Sequence, residues 1–132
     1  MPLLRAEMPR GKSREFKLGI GDVVYAAMRT ALNVPEGDRF QIFTEHAPED
    51  LSIDPNYLGI TRSPEALILQ ITLNEGRTTD QKRAFYKAIA DGLHSRLGVR
   101  REDVTINLVE VKKENGHSAM AKPHMPERHP SE

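Results

Sequence analysis

Three residues of this 132-residue chain have chemistry that could act together: Pro2, Asp38 and Arg77. Pro2 follows the start methionine and opens a strand-like run, PLLRAEM. Proline is the one residue whose terminal amine, when it heads a chain, is secondary. A free α-amine titrates near ~8, far below a lysine, and burial lowers that further by disfavouring the charged form. Fixed in a strand, such an amine suits proton shuttling near neutral pH. A proline in that place can also do no more than stiffen the start of a strand. Asp38 stands in PEGDRF, at a helix-to-strand turn, where an aspartate is often a turn former. Arg77 stands in NEGRTTDQK, at a strand-to-helix turn. Its planar guanidinium can grip both oxygens of a carboxylate, and the helix start behind it favours an anion. The plain alternative is a solvated surface arginine.

The elements that must hold these residues are legible in the apolar pattern. Leu3 to Met8 reads as a short strand, and Ser13 as a helix N-cap. EFKLGIGDVVYAAMRTAL then sets Phe16, Ile20, Val24, Ala27, Met28 and Leu32 mostly three or four apart, which predicts an amphipathic helix. Gly19 and Gly21 weaken its first half by up to ~1 kcal/mol each. NVPEGD breaks the helix and RFQIFTE predicts a second strand. The turn-rich HAPEDLSIDPNYLGITRSPE predicts a loop or short hairpin. ALILQITL is nearly continuously apolar, the mark of a strand buried on both faces. Thr78 is a second N-cap, and DQKRAFYKAIADGLHSRL carries Phe85, Ile89, Leu93 and Leu97 at four-residue steps, as a helix does. GVRRED breaks it, and VTINLVEV alternates as a last strand.

This order is a repeat. Sliding the first half by 65 residues sets Gly11 on Gly76, Lys12 on Arg77, Ser13 on Thr78, Lys17 on Lys82, Leu32 on Leu97 and Asp38 on Asp103, with no gap. Any two strand–helix–strand units share caps and turns, but an ungapped register argues for two copies of one β-α-β unit. The predicted fold class is α+β: duplicated β-α-β units forming a four-stranded, mainly parallel sheet with two helices on one face. The bare face of such a sheet asks for another subunit as cover.

Composition narrows the function classes. Lysine plus arginine equals aspartate plus glutamate at 19 each, so charge makes no case for nucleic acid or an anionic membrane. No stretch approaches the ~20 apolar residues of a membrane span, and the N-terminus lacks a secretory pattern. With no cysteine, disulfide scaffolds, thiol catalysis and Cys-ligated zinc are excluded. A cytoplasmic location is the default expectation. No metal or organic cofactor is suggested, and His46 and His94 point to no site.

Four segments carry a family resemblance: PLL at the start, VPEGDRFQ at the first helix-to-strand turn, GRTTDQKRAFYKAI at the second helix and DVTINLVE in the last strand. In this order and spacing the chain resembles the tautomerase superfamily, and within it the malonate semialdehyde decarboxylase group, from Pro2 to about Asn115. The resemblance implies a tautomerase-like domain over residues 1–115, assembled as a homotrimer. It implies that Met1 is removed and that the Pro2 nitrogen becomes the general base or acid; behind a retained Met1 that nitrogen is an amide and inert. It implies that Asp38 orients water or assists proton transfer, and that Arg77 holds a substrate carboxylate. Asp103, the repeat partner of Asp38, is expected only to form a turn. Phe40 stands where the decarboxylases carry a tyrosine, so it is expected to wall the substrate or to sit in the core.

The chain departs from the family pattern twice. Glu75 stands where the decarboxylases carry a second arginine, and an anion there argues against malonate semialdehyde as the substrate. Keto–enol tautomerisation of a small oxo-carboxylate needs only a base and a carboxylate anchor, so it is the expected activity. A malonate semialdehyde decarboxylase or hydratase-like activity comes second, and a catalytically impaired homologue with a structural role third. After LVEVKKEN the family continues with a Trp-Ser-Phe-Gly-like segment, whereas this chain continues GHSAMAKPHMPERHPSE. That composition predicts a disordered tail over residues 116–132, and its histidines, His117, His124 and His129, match no metal-site spacing. Shifted by one base, the codons of Gly116 to Ala121 can spell Trp-Ser-Phe-Gly-Asn-Gly, so the tail is expected to be an out-of-frame product of one lost base near Asn115.

Overall fold

The computed structural model describes residues 2–116; Met1 and the expected tail from residue 117 onward lie outside the described residues. Four strands, β1 (Leu3–Pro9), β2 (Phe40–His46), β3 (Leu67–Asn74) and β4 (Val104–Val111), alternate with two helices, α1 (Arg14–Leu32) and α2 (Thr79–Leu97). The sheet order is β2-β1-β3-β4. β1 runs parallel to β2 and β3 to β4, while the central pair β1 and β3 is antiparallel. The α+β fold of two paired β-α-β units is therefore the one the repeat predicts.

The repeat is a symmetry of the fold. The 65-residue offset carries Arg14–Leu32 onto Thr79–Leu97 end to end. Leu3 pairs with Phe40, and their counterparts Ile68 and Thr105 pair likewise. In the antiparallel centre Arg5 pairs with Gln70, its own counterpart, so an approximate twofold axis passes through that pair. The helix starts match as well. Ser13 accepts from the Phe16 amide at 3.0 Å, and Thr78 forms a full capping box with Gln81.

The core lies between the sheet and the two helices. Leu4, Ala6 and Met8 of β1 and Leu69, Ile71 and Leu73 of β3 are fully or almost fully buried against Ile20, Val24, Phe85, Ile89 and Leu93 of the helices. Each of these side chains larger than alanine contributes roughly 1.5–3 kcal/mol on burial. The glycines that weaken α1 have a packing reason. A Cβ on Gly21 would lie 2.3 Å from the Gln41 Oε1 of β2, so a larger residue there would push aside the Gln41 side chain, which donates to the Gly21 carbonyl at 2.9 Å.

The turn-rich segment from β2 to β3 is a loop, the first of the two forms expected, with two short 3-10 turns, Pro48–Asp50 and Tyr57–Gly59. One expectation needs correction. β3 is deeply buried on its helix face alone; its other face, Ile68, Gln70, Thr72 and Asn74, is half-buried. Among the described residues no helix packs on that face, where Phe40 is 48% and Ile42 38% exposed.

Candidate functional site

Strand register brings the three candidate residues to one end of the sheet. Leu3 pairs with Phe40 on one side and Thr72 on the other, so Pro2 sits where β2 begins and β3 finishes. Pro2 is buried. Asp38 lies just before β2 and Arg77 just after β3, and both are buried, 9% and 8% exposed.

A buried guanidinium needs partners, and the two neighbouring element ends supply them. Arg77 Nη1 donates to the Asn74 carbonyl at the end of β3, at 3.0 Å. Its Nη2 donates to the Leu32 carbonyl, the last of α1, at 3.4 Å. A helix C-terminus carries partial negative charge, so a cation belongs there. The turn that delivers Arg77 passes through Gly76 at φ 118°, in the region that favours glycine.

Asp38 is delivered by a loop pinned to α1 on both sides. On one side the Gly37 amide donates to the Tyr25 hydroxyl at 2.8 Å. On the other, Arg39 donates to Asp22 Oδ1 at 2.7 Å and lies over the Tyr25 ring, 5.0 Å from its centroid. Asp22 also accepts from Arg96 of α2 at 2.9 Å. The Arg39 hydrogen bond, with that of Arg96, holds the Asp22 carboxyl below the usual carboxylate range. Sequence reasoning missed this clamp. Its trace is an Asp and a Tyr three residues apart on α1, facing an arginine that follows Asp38.

Phe40 is not core. It stands at the start of β2 on the bare face, half-exposed in the single chain. Glu75 is exposed; its amide donates to the Val111 carbonyl at 2.8 Å, and its carboxylate has no bond among the described residues. No group of three or more His, Cys, Asp or Glu among the described residues is placed to hold a metal ion.

The symmetry mates of the candidate residues gather at the opposite end of the sheet. There Asp103 does more than form a turn. It is 2% exposed and accepts from the Ser63 amide at 2.7 Å and the Ser63 hydroxyl at 2.6 Å, tying the long loop to β4. Lys12, the mate of Arg77, is ion-paired with Glu65. Leu67, the mate of Pro2, is an interior residue of the chain.

Comparison with known proteins adds sequence relatives to this geometry. A family model described as a tautomerase enzyme matches residues 38–115. A Bacillus subtilis (strain 168) protein, "Probable tautomerase YusQ", is 37% identical over 82% of this chain and 85% of its own length. A second protein of that strain, "Probable tautomerase YrdN", is 31% identical over 83% of this chain and 84% of its own. Among solved structures, a malonate semialdehyde decarboxylase inhibited by 3-bromopropiolate superimposes with a TM-score of 0.84 at 32% identity, covering 91% of each chain.

Proposed function

The chain belongs to the tautomerase family, and on that premise we propose that it is an enzyme that moves a proton within a small oxo-carboxylate, with Pro2 as the proton carrier. The supporting observation is the gathering of a buried Pro2, a buried carboxylate and a buried guanidinium at one end of the sheet. In the proposed reaction Met1 has been removed and Arg77 holds the substrate carboxylate. The Pro2 nitrogen takes the proton from the carbon beside the carbonyl. The electron pair of that C–H bond forms the enol double bond, and the carbonyl oxygen gains a proton, so substrate and product are isomers. Asp38 assists this transfer from its pinned loop, and Phe40 supplies an apolar wall.

The test is ultraviolet-monitored tautomerisation of phenylpyruvate by wild type and Pro2→Ala. General base catalysis contributes roughly 10²–10⁴-fold, so the variant should lose at least ~100-fold. Equal rates overturn the catalytic role. N-terminal mass spectrometry should show Pro2 as the first residue; a retained Met1 would favour the impaired homologue.

The likeness to malonate semialdehyde decarboxylase supports a second reading, decarboxylation or hydration of a 3-oxo acid. Glu75 weighs against it. Carbon dioxide release from malonate semialdehyde, blocked by 3-bromopropiolate, would favour it over simple tautomerisation. We further assign the bare sheet face to other copies of this chain, in a homotrimer. A fused 4-OT solved as a symmetric trimer shares the fold, with a TM-score of 0.74 at 20% identity over 91% of this chain and 94% of its own. Light scattering should then give three times the 14.9 kDa of one chain.

A further inference from the structure

At the end of the sheet remote from Pro2, a cleft of about 300 Å³ opens between the end of β1 and the long loop that joins β2 to β3. Its walls are apolar and stiff, with Pro9, Pro48, Pro64, Leu51 and Ile53 among them. Prolines fix their own φ, so these walls lose little entropy on holding a ligand. Two nitrogen-bearing side chains, Arg10 and His46, also line the cleft. The size and the apolar lining with few polar groups are those of a small-molecule site.

We propose that this cleft is a second ligand site, for a small apolar monocarboxylate, whose carboxylate is held by Arg10. The charge balance around it favours an anion. Glu7 is engaged by His46 at 2.7 Å. Glu45 is engaged by Lys17 at 2.6 Å and by the amides of Gly11 and Lys12. Glu65 is taken by Lys12. Asp103 is taken by Ser63. Arg10 is exposed, and among the described residues no hydrogen bond or ion pair engages its guanidinium. Glu49 and Asp50 of the loop do not line the cleft. A cation remains at the mouth of an apolar pocket, the arrangement a carboxylate with an aliphatic or aromatic body would complete.

Internal symmetry gives the cleft a second support. The 65-residue offset carries Arg10 onto Glu75 and His46 onto Val111. The cleft is thus the mate of the region beside Arg77, with an arginine where the Pro2 end has an anion. The chain runs through Leu67 as an ordinary peptide there, so no chain-terminal amine stands at this end, and the role proposed for the cleft is binding. This proposal does not rest on the catalytic reading of Pro2.

The probe is 3-methylbutanoate, followed by ¹⁵N–¹H spectra that report each end of the sheet separately. Amides of Leu51, Ile53, Ser63 and Ala66 should shift saturably in wild type and equally in Pro2→Ala. Arg10→Ala touches no internal bond and should weaken this binding about tenfold, the loss of one charge-assisted contact. Arg10→Lys should recover part of it. Unmoved amides at this end, shifts confined to the Pro2 end, or equal affinity in Arg10→Ala would each overturn the proposal.

Discussion

The two ends of the sheet descend from the same local pattern and hold opposite arrangements. At the Pro2 end stand Pro2, Asp38 and Arg77; at the far end stand Leu67, Asp103 and Lys12, each its counterpart by the 65-residue offset. Both aspartates are buried and both basic residues precede an N-cap. The far end satisfies its aspartate and its lysine from within. Ser63 fills both oxygens of Asp103, and Glu65 fills Lys12. The salt bridges below each turn differ in the same sense. Lys17–Glu45 and Lys82–Glu110 are both 2.6 Å long, but Glu45 also takes two backbone amides, whereas Glu110 keeps to Lys82 among the described residues. Duplication can copy a strand, a helix cap and a charged pair. It cannot copy the role proposed for Pro2, because the second unit starts in mid-chain, where every nitrogen is an amide.

The largest effect that would sharpen this contrast is on catalysis. Arg77→Ala should lower kcat/KM for phenylpyruvate by about 100-fold, which corresponds to ~2.7 kcal/mol of lost binding in the transition state. Lys12→Ala, its symmetry mate, should leave kcat/KM within about twofold. Arg77→Lys keeps the charge but loses the two-pronged grip, so it should fall between, mostly through KM. Comparable losses at Arg77 and Lys12 would erase the distinction between the ends.

The aspartates should divide the other way. Asp103→Asn removes the charge that two Ser63 donors satisfy, at a cost of about 2 kcal/mol of folding stability. Denaturant titration measures it, and tautomerisation should persist in the folded fraction. Asp38→Asn should cost activity more than stability. If Asp103→Asn is neutral to stability, the far end does not satisfy its aspartate from within.

The smallest effect is a pH dependence. Lys17, with the Lys12 and Gly11 amides, holds the Glu45 carboxyl down at about 2, from an ordinary 4.5. A carboxyl depressed in the folded state adds stability that is present above its unfolded value and is lost as pH falls toward the folded one. The melting temperature should therefore drop between about pH 4.5 and pH 2, and Glu45→Gln should flatten that part of the curve. An unchanged slope in the variant would show that other carboxylates set it.

Much of the fold was legible because its causes are local. Ser13 and Thr78 cap the helices they were expected to cap, and Val104–Val111 is the strand its alternation predicts. The 65-residue match exposed the duplication because the two units share every turn length up to Asp38. Less local features were not legible. ALILQITL reads as buried on both faces, yet one face of β3 is only half-buried and has no helix over it among the described residues. Phe40 reads as wall or core, and register alone decides that it lies on the bare face.

The sequence alone determined which residue types were on offer: one proline behind the start methionine, two matched aspartates and two matched cations at fixed spacing in a duplicated frame. Only the tertiary structure decided which of them share an end of the sheet. Asp38 and Arg77 are far apart in the chain, and it is the antiparallel pairing of β1 with β3 that sets the start of β1, where β2 also begins, beside the end of β3. It also decided that Asp103 and Lys12 find their partners in Ser63 and Glu65, residues of a loop without periodicity. Contacts of that kind depend on where a loop lands, and no local spacing rule encodes that.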